Sequence, residues 1–254
     1  MESVVLQAIP GLPEVAPGGD LARLIGDALL QNDLRLQAKD ILVVAQKIVS
    51  KAENRFAELY AVTPGARAVE LASATGKDPR LVELILSQSS EVLRTARNVL
   101  IVRHRLGYVM ANAGIDRSNV PGAEGRKLVL LLPADPEGSA RALRARLMER
   151  FGVDLAVVIS DSFGRPWRNG TVNVALAASG LPALHDRRGE RDRHGRVLEV
   201  TQVAVADAVA SAAGLVMGEG AEGTPVVLVR GLKFSAAHRD ATSLIRPLNE
   251  DLFR

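Results

Sequence analysis

The chain has 254 residues, enough for one large domain or two intimate smaller ones with a buried core, and too many for a disulfide-stabilised miniprotein. Apolar residues make up 47% of the sequence and aromatic residues 3%, so few side chains are available to stack on single-stranded nucleic acid. The formal net charge of +3 comes from interleaved basic and acidic residues, which permits anionic ligands without indicating a polyanionic partner. Because there is no cysteine, any metal must take oxygen or imidazole ligands.

The sequence shows no sign of a membrane or secretory segment. Its first residues carry an early acid and lack the basic region and long apolar core of a signal peptide. The longest apolar stretch, residues 203–217, is interrupted by Asp207 and is too short to cross a bilayer. We therefore expect a cytoplasmic protein with neither a nucleic-acid nor a membrane partner.

Short runs rich in Val, Ile and Leu alternate with stretches of helical periodicity, which predicts a mixed α/β chain. The predicted strands are residues 4–9, 41–44, 99–102, 128–132, 155–159 and 226–229. The predicted helices are residues 20–31, 64–74, 79–88, 136–150 and 201–213. No repeat or flexible linker divides the chain, so we predict a single domain over residues 1–254, built either as one unit or from two intimate subdomains. The polar residues 184–196 predict a long surface loop.

A glycine-rich segment, residues 218–223, matches the dinucleotide-binding pattern G-x-G-x-x-G letter for letter. That pattern binds a pyrophosphate only when a strand precedes it and a helix begins on it, whereas a strand-like run follows it here. Two other interpretations stay open. The segment is a flexible turn, or it is a ligand loop in which Glu219 projects a carboxylate, and we favour the ligand loop.

Two predicted strands are followed by polar side chains, at the position where α/β proteins commonly bind ligands. Gln46, Lys47 and Lys51 follow the strand at 41–44, and the lysines are either phosphate ligands or ordinary solvated residues. Asp161 and Ser162 follow the strand at 155–159. An acid beside a hydroxyl suits Mg²⁺ or Mn²⁺, with a helix N-cap as the alternative role for Asp161.

Two further segments carry candidate ligand-binding residues. In the turn-rich residues 111–121, Asp116 and Asn119 are close enough to serve one ligand, or they cap their own backbone as an Asx turn. Arg165 and Arg168 flank the single tryptophan, and their planar guanidinium groups suit phosphate or carboxylate. The four histidines lack metal-ligand spacing and there is no G-x-S-x-G motif, which disfavours zinc hydrolases and α/β-hydrolases.

Six segments in this order resemble the coenzyme F420-0:L-glutamate ligase family, over nearly the whole chain. They are IPGL at 9–12, DILVVAQKIVSK at 40–51, ANAGIDRSNV at 111–120, SDSFGRPWRNG at 160–170, DRRGERDRHGR at 186–196 and MGEG at 217–220. The resemblance implies an α+β (mixed α/β) fold particular to the family, with mixed sheets and flanking helices, in an intertwined homodimer. Some members carry a C-terminal nitroreductase-like domain, whose activity we expect to be absent here.

The same resemblance implies a reaction. A GTP-dependent enzyme of this kind adds L-glutamate to the lactyl-phosphate side chain of a deazaflavin, F420-0, through an acyl phosphate, and can add further γ-linked glutamates. Its cofactors are two divalent cations, Mg²⁺ or Mn²⁺, with a monovalent cation as a further possibility. The alternatives are another metal- and nucleotide-dependent phosphotransferase, and a non-catalytic nucleotide-binding module.

The resemblance also implies a set of site residues. The nucleotide contacts fall on Ile9, Pro10, Gly11, Leu12, Gln46, Lys47, Lys51, Asn119, Met217, Gly218 and Gly220. Asp116 and Asp161 match the catalytic carboxylates that hold the first cation, while Ser162 and Glu219 match ligands of the second. These last two positions are often Thr and Gln in the family, and both replacements keep an oxygen donor. From side-chain chemistry alone, we add Arg165 and Arg168 as substrate-binding candidates.

Overall fold

The computed structural model describes residues 3–118, 127–234 and 236–251. Its strands are β1 (Val5–Ala8), β2 (Ile41–Ala45), β3 (Phe56–Glu58), β4 (Ser89–Ala96), β5 (Val99–His104), β6 (Val109–Ala111), β7 (Leu128–Leu130), β8 (Ala156–Arg165), β9 (Arg168–Ser179), β10 (Leu184–Asp186), β11 (Gln202–Ala204) and β12 (Val226–Arg230). Its α-helices are α1 (Leu21–Gln31), α2 (Gln46–Ala52), α3 (Ala66–Thr75), α4 (Pro79–Ser87), α5 (Pro136–Phe151) and α6 (Val205–Met217). The chain is thus a mixed α/β protein, as predicted.

A five-stranded mixed sheet with the order β1-β12-β2-β8-β9 forms the centre of the molecule. The pair β2–β8 is parallel, whereas the other neighbours are antiparallel. Strand β2 ends at Ala45, opposite Ser160, but β8 continues to Arg165 as a hairpin with β9. Beyond Ser160 no strand of the described chain covers the β2-side edge of β8, and this edge borders the cavity described below.

Helices cover both faces of this sheet. Alternate residues of β2, such as Leu42 and Val44, pack with α1 and α5, while Ile41 and Val43 pack with α6 on the other face. Both faces of β2 are therefore buried, which explains why its sequence is a continuous apolar run rather than an alternating one. The burial fixes the position of the strand end from which α2 starts.

A smaller region of residues 56–131 has its own hydrophobic cluster, formed by α3, α4 and the sheet β4-β5-β6. Strand β3 pairs with β7 at the side of this region. Tyr108 joins the region to the large sheet, because its hydroxyl donates to the Leu176 carbonyl on β9 over 2.6 Å. The edge of the Tyr108 ring also meets Phe163 on β8.

The predicted strands and helices all appear, with differences at several ends. Residues 201–204 are not the start of a helix, since 202–204 form β11 and α6 runs from Val205 to Met217. Residues 184–196 are mostly exposed as predicted, although they begin with the short strand β10, which pairs with β11. Strands β3, β4, β6 and β9 and helix α2 were not predicted. No helix in the described ranges is long and apolar enough to cross a membrane.

Candidate active site

A cavity of about 600 Å³ opens at the end of β2 and along residues 160–164 of β8, between the large sheet, the smaller region and the loop after α6. The charges on its described lining are mostly negative. They belong to five carboxylates and two lysines: Glu14, Asp116, Asp161, Glu219, Glu222, Lys47 and Lys51. The described wall therefore carries three more acidic than basic side chains, so cations that accompany a polyanion would reduce its repulsion from the wall.

Helix α2 begins directly after β2 and brings Gln46 to the cavity. The Ser50 hydroxyl, one turn later, donates to Gln46 Oε1 over 2.9 Å. This bond orients the amide so that Gln46 Nε2 donates to Asp116 Oδ2 over 3.3 Å. Gln46 is buried, and it thereby links the large sheet to the carboxylate of the smaller region.

The two lysines of α2 are each held by a carboxylate. Lys47 Nζ lies 3.3 Å from Asp116 Oδ2 and donates to Ser118 Oγ over 3.2 Å. Lys51 is only 4% exposed and pairs with the Glu14 carboxylate. The alternative interpretation, that these lysines are ordinary solvated residues, is therefore wrong for both. They form the positive part of the cavity wall.

Asp116 follows a turn with unusual backbone angles. Asn112 and Ala113 have φ of 54°, and Gly114 has φ of 66°. A left-handed conformation costs about 1–2 kcal/mol for each non-glycine residue, and such strain concentrates at functional sites. Backbone hydrogen bonds to Leu130 in both directions, of 2.8 and 2.9 Å, then fix Asp116.

The carboxylate of Asp116 accepts its hydrogen bonds from side chains. Ser118 Oγ donates to Oδ1 over 3.3 Å, in addition to the bond from Gln46. Within the described ranges both of these donors are side chains and no backbone N–H donates to the carboxylate, so no Asx turn forms between Asp116 and Ser118. The other residue of the predicted pair, Asn119, lies outside the described residues.

Asp161 lies inside strand β8, where no helix begins, so the N-cap alternative is wrong. Burial and the negative charge of Asp116 raise the pKa of Asp161 to about 7. The Ser162 N–H, which donates to Asp161 Oδ1 over 2.9 Å, and the Lys47 charge oppose this rise, while Glu219 adds to it. The site thus gathers negative charge around a carboxylate that has little water to solvate it.

The glycine-rich segment 218–223 connects the end of α6 to β12, so a helix precedes it and a strand follows it. This order excludes the dinucleotide-binding interpretation, which requires a strand before the segment and a helix that begins on it. Glu222 Oε2 accepts the Gly220 N–H over 2.8 Å, and a β-carbon at Gly218, where φ is +77°, would overlap the Glu222 carboxylate. Glu222 thus braces the loop, and the exposed Glu219 lies at the cavity.

Most of the predicted site residues line this one cavity: Leu12, Gln46, Lys47, Lys51, Asp116, Asp161, Ser162, Met217, Gly218, Glu219 and Gly220. Ile9 does not, because its side chain is fully buried in the core against α1 and α5. Pro10 and Gly11 are exposed outside the lining, and Arg165 and Arg168 lie on the outer part of the β8–β9 hairpin.

Several lining residues were not predicted from the sequence as site residues: Glu14, Ser160, Asn173, Glu222 and Thr224. Glu222 belongs to the glycine segment and was available as a second acid there. Asn173 and Ser160 gave no signal, because each is a small polar residue in an apolar strand, and only the pairing of β8 with β9 brings them together.

The donor set fits a hard divalent cation. Asp161 is close to two further negative charges, those of Asp116 and Glu219. Carboxylate and hydroxyl oxygens are the ligands that Mg²⁺ and Mn²⁺ prefer. Within the described ranges, however, no three acids or histidines already converge as a metal-binding group. The residues Asp116, Asp161, Ser162 and Glu219 would therefore hold cations together with oxygens of a bound ligand.

The sequence of this chain is similar to the sequences of known proteins. Residues 11–231 match the family model described as F420-0:Gamma-glutamyl ligase. The coenzyme F420:L-glutamate ligase of Methanothermobacter thermautotrophicus is 46% identical over 253 residues, which cover 99% of both chains. The enzyme of the same name from Methanopyrus kandleri is also 46% identical, over 98% of this chain and 97% of the relative. That from Haloarcula marismortui is 44% identical, over 97% and 94%. This chain therefore belongs to the F420-0:gamma-glutamyl ligase family.

Proposed function

We propose that this protein is a GTP-dependent ligase that adds L-glutamate to coenzyme F420-0 and can add further γ-linked glutamates. The similar curated relatives are named coenzyme F420:L-glutamate ligases, which supports the ligase activity and the pair of substrates. The observation that carries the nucleotide and cation part is the acidic cavity with two buried or half-buried lysines at one side.

The proposed reaction has two steps. A substrate carboxylate oxygen attacks the γ-phosphorus of GTP, the bond to the β-phosphate oxygen breaks, and GDP leaves an acyl phosphate behind. The glutamate amine then attacks the acyl carbon, phosphate departs, and the nitrogen loses a proton as the amide forms. Divalent cations, when bound, neutralise the charge that develops on the phosphoryl oxygens.

The cavity residues have distinct roles in this scheme. Lys47 and Lys51 bind phosphate oxygens, which requires them to exchange at least part of their present pairing with Asp116 and Glu14. Asp116 and Asp161 would hold one cation, and Ser162 and Glu219 would hold a second. Lys47 now contacts Asp116, so it would be released for the nucleotide when Asp116 serves as a cation ligand.

Arg165 and Arg168 have a separate role in the proposal. They face each other across the β8–β9 pair, outside the cavity lining, at the base of a turn that contains Trp167. The hairpin continues the strand that carries Asp161, so a substrate with its carboxylate at the cavity can extend towards these arginines. Their planar guanidinium groups suit the substrate phosphate.

One incubation separates this function from its alternatives. Purified protein is mixed with GTP, Mn²⁺, L-glutamate and F420-0, and the products are identified by mass spectrometry. The proposal requires GDP release that depends on glutamate and a product heavier than F420-0 by one glutamyl residue or more. GDP release with a phosphorylated product and no amide would indicate a phosphotransferase, and nucleotide binding without turnover would indicate a non-catalytic module.

A further inference from the structure

Asn173 is a buried polar residue of the cavity wall. It lies on β9 directly opposite Ser162 of β8, and it is 6% exposed. Its backbone carbonyl accepts the Ser211 hydroxyl over 2.7 Å, but within the described ranges nothing hydrogen-bonds to its side-chain amide. Because Asn173 lines the cavity, its amide is available to a ligand bound there.

Two hydroxyls share the strand face on which Asn173 lies. Ser160 and Ser162 are two positions apart on β8, so their side chains lie on the same side, and Asn173 faces Ser162 on that side. Ser160 is 2% exposed, and its Oγ has no hydrogen-bond partner in the described chain. Three uncharged side chains with free oxygen atoms therefore meet at one part of the cavity wall.

Gly214 of α6 holds the Asn173 side chain in place. A β-carbon at Gly214 would overlap Asn173 Nδ2 and would lie 3.0 Å from Cγ and 3.3 Å from Cβ. The amide nitrogen is thus the end nearest the helix, and the amide oxygen lies farther from Gly214. A glycine inside a helix is less favourable than alanine, and here its missing side chain leaves the space that Asn173 occupies.

We propose that Asn173 is a further ligand of the divalent cation that Ser162 and Glu219 hold, with its side-chain amide oxygen as the donor. This inference rests on the proposed function for the presence of that cation. A neutral amide oxygen suits a hard cation and adds no charge to a wall that is already strongly negative. The buried Ser160 hydroxyl lies on the same face, where it can donate to a phosphate oxygen on the cation.

Three variants and a control test the assignment. Asn173→Ala removes the amide, Asn173→Asp keeps an oxygen donor, and Gly214→Ala adds the methyl group that displaces the Asn173 side chain. Asn169→Ala changes an exposed asparagine of the same strand, outside the cavity lining. The binding of Mn²⁺ in the presence of GDP is measured by titration with detection of free Mn²⁺ by electron paramagnetic resonance, and the free energy of unfolding is measured alongside.

The expected result is two Mn²⁺ per wild-type chain, with the second bound at least about tenfold more weakly in Asn173→Ala and Gly214→Ala. Asn173→Asp and Asn169→Ala should retain both ions. Gly214→Ala should keep a free energy of unfolding close to that of the wild type, because the gain in helix propensity offsets the displaced side chain. The agreement of the two weakened variants would tie the loss to the position of the amide rather than to damage of the fold.

Other outcomes overturn the assignment. Wild-type Mn²⁺ binding in Asn173→Ala would show that the amide is not a ligand. Loss of GDP binding in Asn173→Asp, with Mn²⁺ retained in Asn173→Ala, would show that the amide nitrogen donates to a phosphate instead. A wild-type protein that binds fewer than two Mn²⁺ would overturn this inference together with the proposed cation sites. Two ions in the wild type without F420-0 ligation would refute only the proposed substrate.

Discussion

Replacement of Asp161 by Asn should stabilise the cation-free protein while it destroys catalysis. Burial and the charge of Asp116 raise the pKa of Asp161 to about 7, from about 3.9 for an unperturbed aspartate. A folded-state pKa above the unfolded value means that the unfolded chain gives up its proton first. The wild-type protein therefore loses stability as the pH rises from about 4 to about 7, and this loss is complete above pH 7.

The size of the effect follows from the pKa difference. A shift of about three pH units corresponds to at most about 4 kcal/mol, at about 1.4 kcal/mol per unit. Because Asp161 keeps part of its surface open to the cavity, we expect about half of this. In EDTA at pH 8, Asp161→Asn should thus be about 2 kcal/mol more stable than the wild type, and the difference should shrink towards pH 4.

Urea unfolding at pH 4.5, 6 and 8 in EDTA measures this difference. Asp154→Asn, at a largely exposed carboxylate, serves as the control and should show no comparable gain. With Mn²⁺ and GDP the order should reverse, because the wild type gains binding energy that the variant has lost. The reasoning is refuted if Asp161→Asn is no more stable than the wild type at pH 8 in EDTA, or if it retains wild-type ligase activity.

Three further results are expected. Glu219→Ala should lower turnover more than it weakens GDP binding, because charge builds up on the transferring phosphoryl group, whereas Glu219→Gln should remain active. Calorimetry should show GTP binding only with Mn²⁺ and no NAD binding. Full activity of Glu219→Ala would contradict the proposed role of the loop. Urea unfolding should show that Asp40→Asn lowers the free energy of unfolding by about 3–5 kcal/mol. The reason is that Asp40 is buried and pairs with Arg230 through two hydrogen bonds of 2.6 and 2.8 Å. A loss below about 1 kcal/mol would show that the pair is dispensable. Light scattering at micromolar concentration should give twice the chain mass of 27.0 kDa, and a monomer mass would contradict the expected homodimer.

The parts of the fold that local sequence determines were predictable. The apolar runs of β2 and β12 are buried on both faces and have no competing helical period, so their type and place follow from composition. Helix α2 was missed because its seven residues continue an apolar strand and its first turn carries no side-chain cap. Strand β9 was missed because its many alanines and its glycine carry little strand propensity, and its pairing with β8 supplies the stabilisation instead.

The candidate site was likewise predictable from the sequence only in part. Lys47 could be identified because it follows a buried strand, and Asp161 because it is the first acid after the apolar run of β8. The glycine segment could be separated from a dinucleotide site by the elements around it. Asn173 could not, because its place in the wall depends on its register with Ser162 and on a glycine in α6. Contacts between residues far apart in the chain decide such positions, and no local pattern encodes them.

The place of β12 in the central sheet affects how the protein is made. This strand is synthesised long after β1 and β2, yet it lies between them in the sheet. Until it arrives, β1 has no partner in this sheet and β2 has an unpaired edge, and sheets that depend on such distant pairings form slowly. We therefore infer that the central sheet cannot be completed before β12 has been made. Growing chains with exposed edges are prone to aggregate, so folding yield should depend strongly on chaperones and on protein concentration.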